Sequence, residues 1–368
     1  MSFMKILFIT DLYPIKQGEA TTAVTLHNFV FEWIRQGNEV DVIKPNFILN
    51  SFLRKKPFYK DGFYDYQGVR IFNVNYFTPF LFDFTKKLPK ELDFESYDVI
   101  ISHMPSGIIF ANKLAKIIKN QLVCGVHASD IEVMTNPIYK FYFKSQLQEG
   151  YKNAKKIACR SFVLQKKFNA LMPEFAEKTF VAASGIDCIE APSERTFSDS
   201  AIKVLTCANL IKRKNIDKLI LAINDLNEFE LKVIGSGVEL NKLKKITAKN
   251  VKFLGRLSHE KVLEEMRNSN IFILPSVNET FGMVYLEAMA SGCVTVCTEN
   301  DGVDGIINDG ENGFLCPATA EGIKETLLKI KSSENIEKIL QKSFETIKDY
   351  TSEKCAKNYL EKIEIESH

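Results

Sequence analysis

Short apolar runs that alternate with stretches of helical periodicity, twice over, constrain this chain more than any other feature. The first series is Lys5–Thr10, Val40–Ile43, Val69–Phe72, Val99–Ser102, Leu122–Val126, Lys156–Cys159 and Thr179–Val181, with helical patterns near 19–35, 106–118, 138–153 and 161–171. Such runs read as strands of a parallel sheet with helices on both faces, so this half is expected to be a doubly wound parallel sheet. A second series runs Ile202–Thr206, Leu231–Ile234, Val251–Leu254, Ile271–Leu274 and Val294–Cys297, with helices at about 215–225, 238–248 and 258–268. The fold class is therefore α/β, with two Rossmann-like doubly wound domains, 1–184 and 185–350, hinged around Ala182–Asp187 and the polar 192–200 stretch. A last helix, about 351–368, has its own apolar face in Cys355, Ala356, Tyr359, Leu360 and Ile363, and is expected to pack back on the first domain. Ligands of such sheets bind at the carboxyl ends of the strands, here in an inter-domain cleft.

Composition narrows the function classes. At 45% apolar, 26% charged and a formal net charge of +2, the 368 residues are neither disordered nor a nucleic-acid-coating protein, so no nucleic-acid partner is expected. The start, with Lys5 and then only Ile6 to Ile9 before Asp11, is too short for a signal peptide, and no run reaches the ~18 apolar residues of a membrane span. A cytoplasmic protein is expected. Eight cysteines without a C-x-x-C pair suit reduced core thiols, and the absence of a D-x-D triplet or of zinc-spaced histidines argues against a tightly held metal.

The first long helix is expected to be largely buried, with Ala20, Ala23, Val24, Val30, Phe31 and Ile34 on one face and Leu26, Phe29 and Trp33 on the other; His27 reads as a core histidine. Residues 47–87 break the rhythm. Their many rings, from Phe47, Phe52 and Phe58 to Phe80, Phe82 and Phe84, interleave with Arg54-Lys55-Lys56 and Lys86-Lys87. Two readings stand: rings and cations resting on an anionic membrane surface, or an insertion whose rings pack into the core.

The chemistry-bearing stretch follows the strand Ile271–Leu274. In Asn278-Glu279-Thr280-Phe281-Gly282-Met283-Val284-Tyr285-Leu286-Glu287, a loop carboxylate precedes a helix expected to open near Phe281 or Gly282. The free N–H groups of a first helical turn beside a glycine favour an anion such as a phosphate. Glu287, inside that helix, then needs hydrogen-bond donors facing it, and sugar hydroxyls would serve. Ordinary surface glutamates are the plainer reading. Two more loops follow strand ends: Ala208 to Asn215, with Lys212, Arg213 and Lys214, and Gly235-Ser236-Gly237, whose dinucleotide fingerprint is incomplete because Leu240 stands where its third glycine belongs.

Taken together, P-S-x-x-E-T-F-G-x-x-x-L-E-A-M-A-x-G with Glu279 and Glu287, Gly37-Asn38-Glu39-Val40, Ser184-Gly185-Ile186-Asp187, Val233 to Gly237, Phe253-Leu254-Gly255-Arg256 and Asn312-Gly313-Phe314-Leu315 resemble the retaining GT-B glycosyltransferases of family GT4 over nearly the whole chain. The resemblance implies a GT-B fold and transfer of a sugar from a nucleotide diphosphate sugar, with no tightly bound cofactor. It implies a site of Gly18, Asn209, Lys214, Gly235, Leu254, Arg256, Glu279, Phe281, Gly282, Met283, Val284 and Glu287 for the donor, with Glu279, Lys214 and His127 as its catalytic members. Lys214 would face the diphosphate, Glu279 the donor sugar, Glu287 the ribose, and His127, in Gly125-Val126-His127, the acceptor. By its own position His127 is equally a strand-end structural histidine. Asn209 stands where the family has a second cation, so Lys212 or Arg213 would have to reach in. Of the family's glycine pair in the first βα loop only Gly18 is present.

The implied acceptor is a saccharide or a polyprenyl- or lipid-linked saccharide, met at the cytoplasmic face of the inner membrane if residues 47–87 rest there. A GT-B-like sugar-nucleotide epimerase, a non-catalytic nucleotide-sugar-binding protein and a peripheral scaffold for membrane enzymes are the other classes such a sequence admits.

Overall fold

The computed structural model describes residues 3–14, 24–47, 61–76, 84–187 and 201–363, without the side chains of 138–140 and 142. It divides into two compact units: Met1–Arg160, Leu164–Ser184 and Cys355–His368 form one, and Ser161–Val163 with Gly185–Lys354 form the other.

In chain order the first half contains β1 (Lys5–Thr10), α1 (Val24–Arg35), β2 (Glu39–Phe47), β3 (Gly62–Tyr66), β4 (Val69–Tyr76), β5 (Val99–His103), α2 (Pro105–Ile118), β6 (Leu122–Val126), α3 (Ala128–Thr135), α4 (Pro137–Asn153), β7 (Lys156–Cys159), α5 (Phe162–Leu171) and β8 (Thr179–Val181). The strands lie in the order β3-β4-β2-β1-β5-β6-β7-β8. All neighbours are parallel except β3 and β4. Central β1 explains its own sequence: with helices over both sheet faces, Ile6, Leu7, Phe8 and Ile9 are all fully buried. Strand order reverses between β1 and β5, where Thr10 is in register with His103.

Three expectations change here. Residues 47–87 hold a hairpin, β3–β4, turned by Gln67 and Gly68, both at positive φ, which is the backbone a two-residue hairpin turn requires. Phe47, Phe72 and Tyr76 belong to the core, whereas Arg54-Lys55-Lys56 and the rings of 48–60 and 77–83 lie outside the described residues. Helix α1 covers one face of the sheet only, so Val24 and Phe31 are partly exposed and the buried stripe is Leu26, His27, Phe29, Val30 and Trp33. His27 is a core histidine, its Nδ1 2.9 Å from the Tyr13 hydroxyl and its Nε2 2.8 Å from Gln67 Oε1. Finally, an additional helix, α3, starts directly after His127. Asn136 stays extended ahead of Pro137, as a residue before proline prefers, and so divides α3 from α4.

The second half contains β9 (Ile202–Cys207), α6 (Ile216–Asn224), β10 (Phe229–Ile234), α7 (Leu240–Lys245), β11 (Val251–Gly255), α8 (His259–Arg267), β12 (Ile271–Leu274), α9 (Met283–Ala290), β13 (Val294–Thr298), β14 (Phe314–Cys316), α10 (Ala320–Lys331), α11 (Ile336–Ile347) and α12 (Ser352–Lys362). Its sheet is parallel throughout, in the order β11-β10-β9-β12-β13-β14, and reverses between β9 and β12. From Cys355 onward α12 groups with the first unit, where Trp33 Nε1 donates to the Ala356 carbonyl at 3.0 Å. Seven cysteines are free thiols among the described residues, six of them buried. No described helix is long and apolar enough to cross a membrane.

Candidate active site

In the second unit the reversal of strand order places two loops side by side, the one after β9 and the one after β12. Backbone and side chain stitch them together: Val277 N–H donates to the Arg213 carbonyl at 2.9 Å, and Asn215 Nδ2 to the Pro275 carbonyl at 2.8 Å. Glu279 is thereby brought onto the basic triplet. Its Oε2 accepts from Lys214 Nζ, from Ser276 Oγ at 2.9 Å and from Arg213 Nη1 at 3.3 Å. Lys214 and Glu279 are nearly buried, with side chains 11% and 14% exposed, while Arg213 is 42% exposed. Burial pushes the Glu279 carboxyl up, but Lys214 foremost, then Arg213 and Ser276, outweigh it and hold the group below the usual carboxylate range. Glu279 offsets only one of the two positive charges, so the pair of cations retains an affinity for a further anion.

The loop is held from behind by Asp301, buried at the end of the β13 connection. Its carboxylate accepts from the Glu279 and Gly302 N–H groups, each at 2.7 Å, and from the Asn278 N–H. Asn278 itself is left-handed, at φ 57°. Gly282 caps α9 at φ 95°; a Cβ there would lie 2.5 Å from the Tyr285 ring. The helix runs from Met283 with Gly282 as its cap, the second of the two expected openings, and buried Phe281 anchors the loop instead of presenting its ring to solvent. Met283 and Val284 are half-buried at the helix start.

Glu287, one turn on, meets His259 Nε2 at 2.9 Å. That hydrogen bond, with support from Asp187 and Glu260, outweighs the opposing effect of burial and raises the His259 pKa. The donor Glu287 requires is thus a side chain in the free protein.

Other expected site residues are more dispersed. Gly235 is required by packing: at φ 133°, its Cβ would lie 1.9 Å from the Ala208 carbonyl oxygen. Asn209 and Arg256 are exposed, Leu254 is half-buried, and Gly18 lies outside the described residues. Of the two basic neighbours of Lys214, Arg213 reaches Glu279 at 3.3 Å from an exposed position, while Lys212, also exposed, makes no contact to it.

In the first unit His127 precedes α3 and is buried. Asp130 closes the helix start by accepting from the His127 N–H at 2.8 Å and from the Tyr151 hydroxyl at 3.0 Å. His127 Nε2 lies 2.9 Å from His103 Nδ1, and His103 Nε2 3.1 Å from the Tyr359 hydroxyl. Burial, reinforced by the Arg160 guanidinium, lowers the His127 pKa to about 3 and keeps His103 neutral as well. Burial raises Asp130 to about 7, against the hydrogen bonds it accepts. His127 therefore offers hydrogen bonding and no charge.

Sequence reasoning missed Ser276, Asp301, His259, His103 and Tyr359. His103 stands one residue past the expected strand Val99–Ser102, the one signal that could have marked it. Among the described residues no group of three or more histidine, cysteine, aspartate or glutamate side chains could hold a metal.

Two family profiles match the chain in tandem: Glycosyltransferase Family 4 over residues 22–189 and Glycosyl transferases group 1 over residues 190–346. An uncharacterized glycosyltransferase of Methanocaldococcus jannaschii is 29% identical over 79% of this chain and 83% of its own. Among solved structures, HepE of Anabaena in complex with UDP superposes with a TM-score of 0.71 at 16% identity, covering 98% of this chain and 99% of its own. Sucrose-phosphate synthase from Thermosynechococcus elongatus gives 0.72 at 16% identity, covering 97% of each chain.

Proposed function

The chain belongs to the GT4-type glycosyltransferases of GT-B fold, and on that premise we propose that it transfers a sugar from a nucleotide diphosphate sugar, a UDP-sugar ahead of a GDP-sugar, to a saccharide or lipid-linked saccharide acceptor. The pathway would be assembly of a bacterial polysaccharide, capsule, lipopolysaccharide or glycoprotein glycan. The observation that carries this reading is the convergence of Lys214, Arg213 and Glu279 beside the start of α9 at the reversal of strand order, the place where ligands of doubly wound sheets bind. The UDP complex of HepE supports uridine as the base.

In this reading the diphosphate takes Lys214 and Arg213 from Glu279 and lies against the Met283 and Val284 N–H groups. Glu279, released, accepts from hydroxyls of the donor sugar, and Glu287 from the ribose. As the bond from the anomeric carbon to the phosphate oxygen breaks, charge grows on the leaving phosphate. Cations and N–H groups already aimed at it stabilise that charge, by a few kcal/mol per donor. The acceptor oxygen attacks the same face, giving retention, and its proton passes to the leaving phosphate. His127, neutral, orients the acceptor side by hydrogen bonding.

Thermal melting with UDP-, GDP- and dTDP-sugars tests the reading, because a ligand at 100 times its dissociation constant stabilises by ~2.7 kcal/mol. UDP-sugars are expected to raise the melting temperature; a protein that none of the three stabilises is not this transferase.

A further inference from the structure

A carboxylate inside a helix whose start faces phosphate works against the ligand unless its charge is offset. Glu287 is in that position: it lies one turn after Met283 and Val284 in α9, with a side chain 19% exposed. Its charge is felt at the end of β9. Burial foremost, then Glu287, raise the pKa of the Cys207 thiol there, and Lys214 opposes them, so carboxylate and lysine both act on that strand end. A diphosphate drawn to Lys214 meets the field of Glu287 as well.

His259 answers that charge. It is the first residue of α8, directly after the cap Ser258, and its Nε2 lies 2.9 Å from Glu287 Oε1. An ionised carboxylate only accepts, so Nε2 carries a proton whether the imidazole is neutral or charged. Three acids favour the charged form: Glu287 from α9, Asp187 from the segment after β8, and Glu260 from α8 itself. They act against partial burial and the positive end of the α8 dipole. One Nε2–H fills one of about four lone-pair sites on a carboxylate. Oε2 takes no part in this bond, so ribose hydroxyls can reach Glu287 without displacing His259.

We propose that His259 is a positioning residue for the donor's ribose: it steadies Glu287 through Oε1 while Glu287 accepts from the ribose hydroxyls, and in its protonated form it offsets the carboxylate beside the diphosphate. The site then selects ribonucleotide over 2′-deoxyribonucleotide donors. Protonation of His259 strengthens diphosphate binding and, reciprocally, diphosphate binding strengthens protonation, so affinity rises as pH falls through the His259 pKa. The proposal rests on the donor reading given above.

The test is calorimetric: dissociation constants of UDP and 2′-deoxy-UDP between pH 8.5 and 6 for the native protein, His259→Gln and His259→Ala. The His259 side chain is 68% exposed, so both variants are expected to fold. A glutamine amide can donate to Oε1 but carries no charge. The native protein and His259→Gln are expected to prefer UDP to 2′-deoxy-UDP by ~10-fold or more, the worth of a hydrogen bond to a charged group, and His259→Ala to lose most of that preference. The terminal phosphate of UDP itself titrates near the lower end of this range, so pH dependence is read as the ratio of variant to native constant, in which the ligand's ionisation cancels. For His259→Gln that ratio should be near one at pH 8.5 and reach about threefold at pH 6. A ribose preference that survives in His259→Ala, or a ratio flat with pH, overturns the proposal, and UDP binding by the native protein then leaves the transferase reading standing. A native protein that binds neither nucleotide removes that reading and this proposal with it.

Discussion

Replacing Lys214 with methionine tests the central pair of the site without any ligand. Glu279 would keep its burial and lose its nearest counter-charge. Breaking one side of a buried ion pair costs ~3–5 kcal/mol. Here Ser276 Oγ remains at 2.9 Å and Arg213 Nη1 at 3.3 Å, the latter on a side chain 42% exposed and so partly screened by water. With those partners retained, a loss of about 2 kcal/mol is expected, or a fall in melting temperature of ~4–8 °C for a unit of this size. Lys214→Met, Glu279→Gln and the double variant form a cycle whose coupling energy should be about 2 kcal/mol, since the double variant leaves no unpaired charge. Acid gives a second readout. The native Glu279 pKa is depressed, so its stabilisation is present above the unfolded carboxylate pKa and is lost as pH falls through the lower folded value. In Lys214→Met burial acts with less opposition and the folded pKa rises, so the gap between native and variant should close toward pH 3. Denaturant titrations from pH 7 to 3 measure both. A coupling below ~0.5 kcal/mol, or a gap unchanged by pH, would refute the pairing.

Glu279→Gln and Lys214→Ala should each lower turnover by at least ~100-fold in a folded protein, as expected of contacts made to the transition state, and steady-state kinetics with the donor that gives the largest melting shift checks this. The buried pocket around His127 should make the protein acid-sensitive: between the unfolded pKa near 6.5 and the folded value of about 3, the unfolded chain binds the proton and the folded one does not, so stability falls with pH by up to ~1.4 kcal/mol per unit. Asp130, raised to about 7, acts in the opposite sense, taking up its proton in the folded state first. Asp130→Asn should therefore steepen the loss of stability between pH 7 and 5 in melting curves; an unchanged slope would contradict the assignment. If the aromatic–basic segment rests on anionic lipid, replacing Arg54, Lys55 and Lys56 together abolishes flotation with anionic liposomes, and unchanged flotation excludes that surface.

The sequence by itself determined most strands of both sheets, though not β3 or β14, because a strand buried on two faces reads as an unbroken apolar run while an edge strand such as β3 is half exposed. It also determined that Glu279 and Lys214 follow strand ends, with Gly282 beside a helix start. What it left open was adjacency. Lys214 and Glu279 are 65 residues apart, and they meet because the second sheet reverses its order between β9 and β12, a pairing that no local pattern encodes. The same holds for Asp301, whose three accepted hydrogen bonds come from backbone that any residue could supply, and for Arg213, indistinguishable in sequence from its two basic neighbours until the backbone directs it toward Glu279. The faces of α1 were misread because periodicity says that a helix is amphipathic, not how wide a stripe the sheet will cover. His103, His127 and Tyr359 show the limit most clearly. Each is an ordinary residue at the end of a strand or within a helix, and only the tertiary structure, by stacking strand ends over Gly125 and returning α12 to the first unit, makes them one hydrogen-bonded chain.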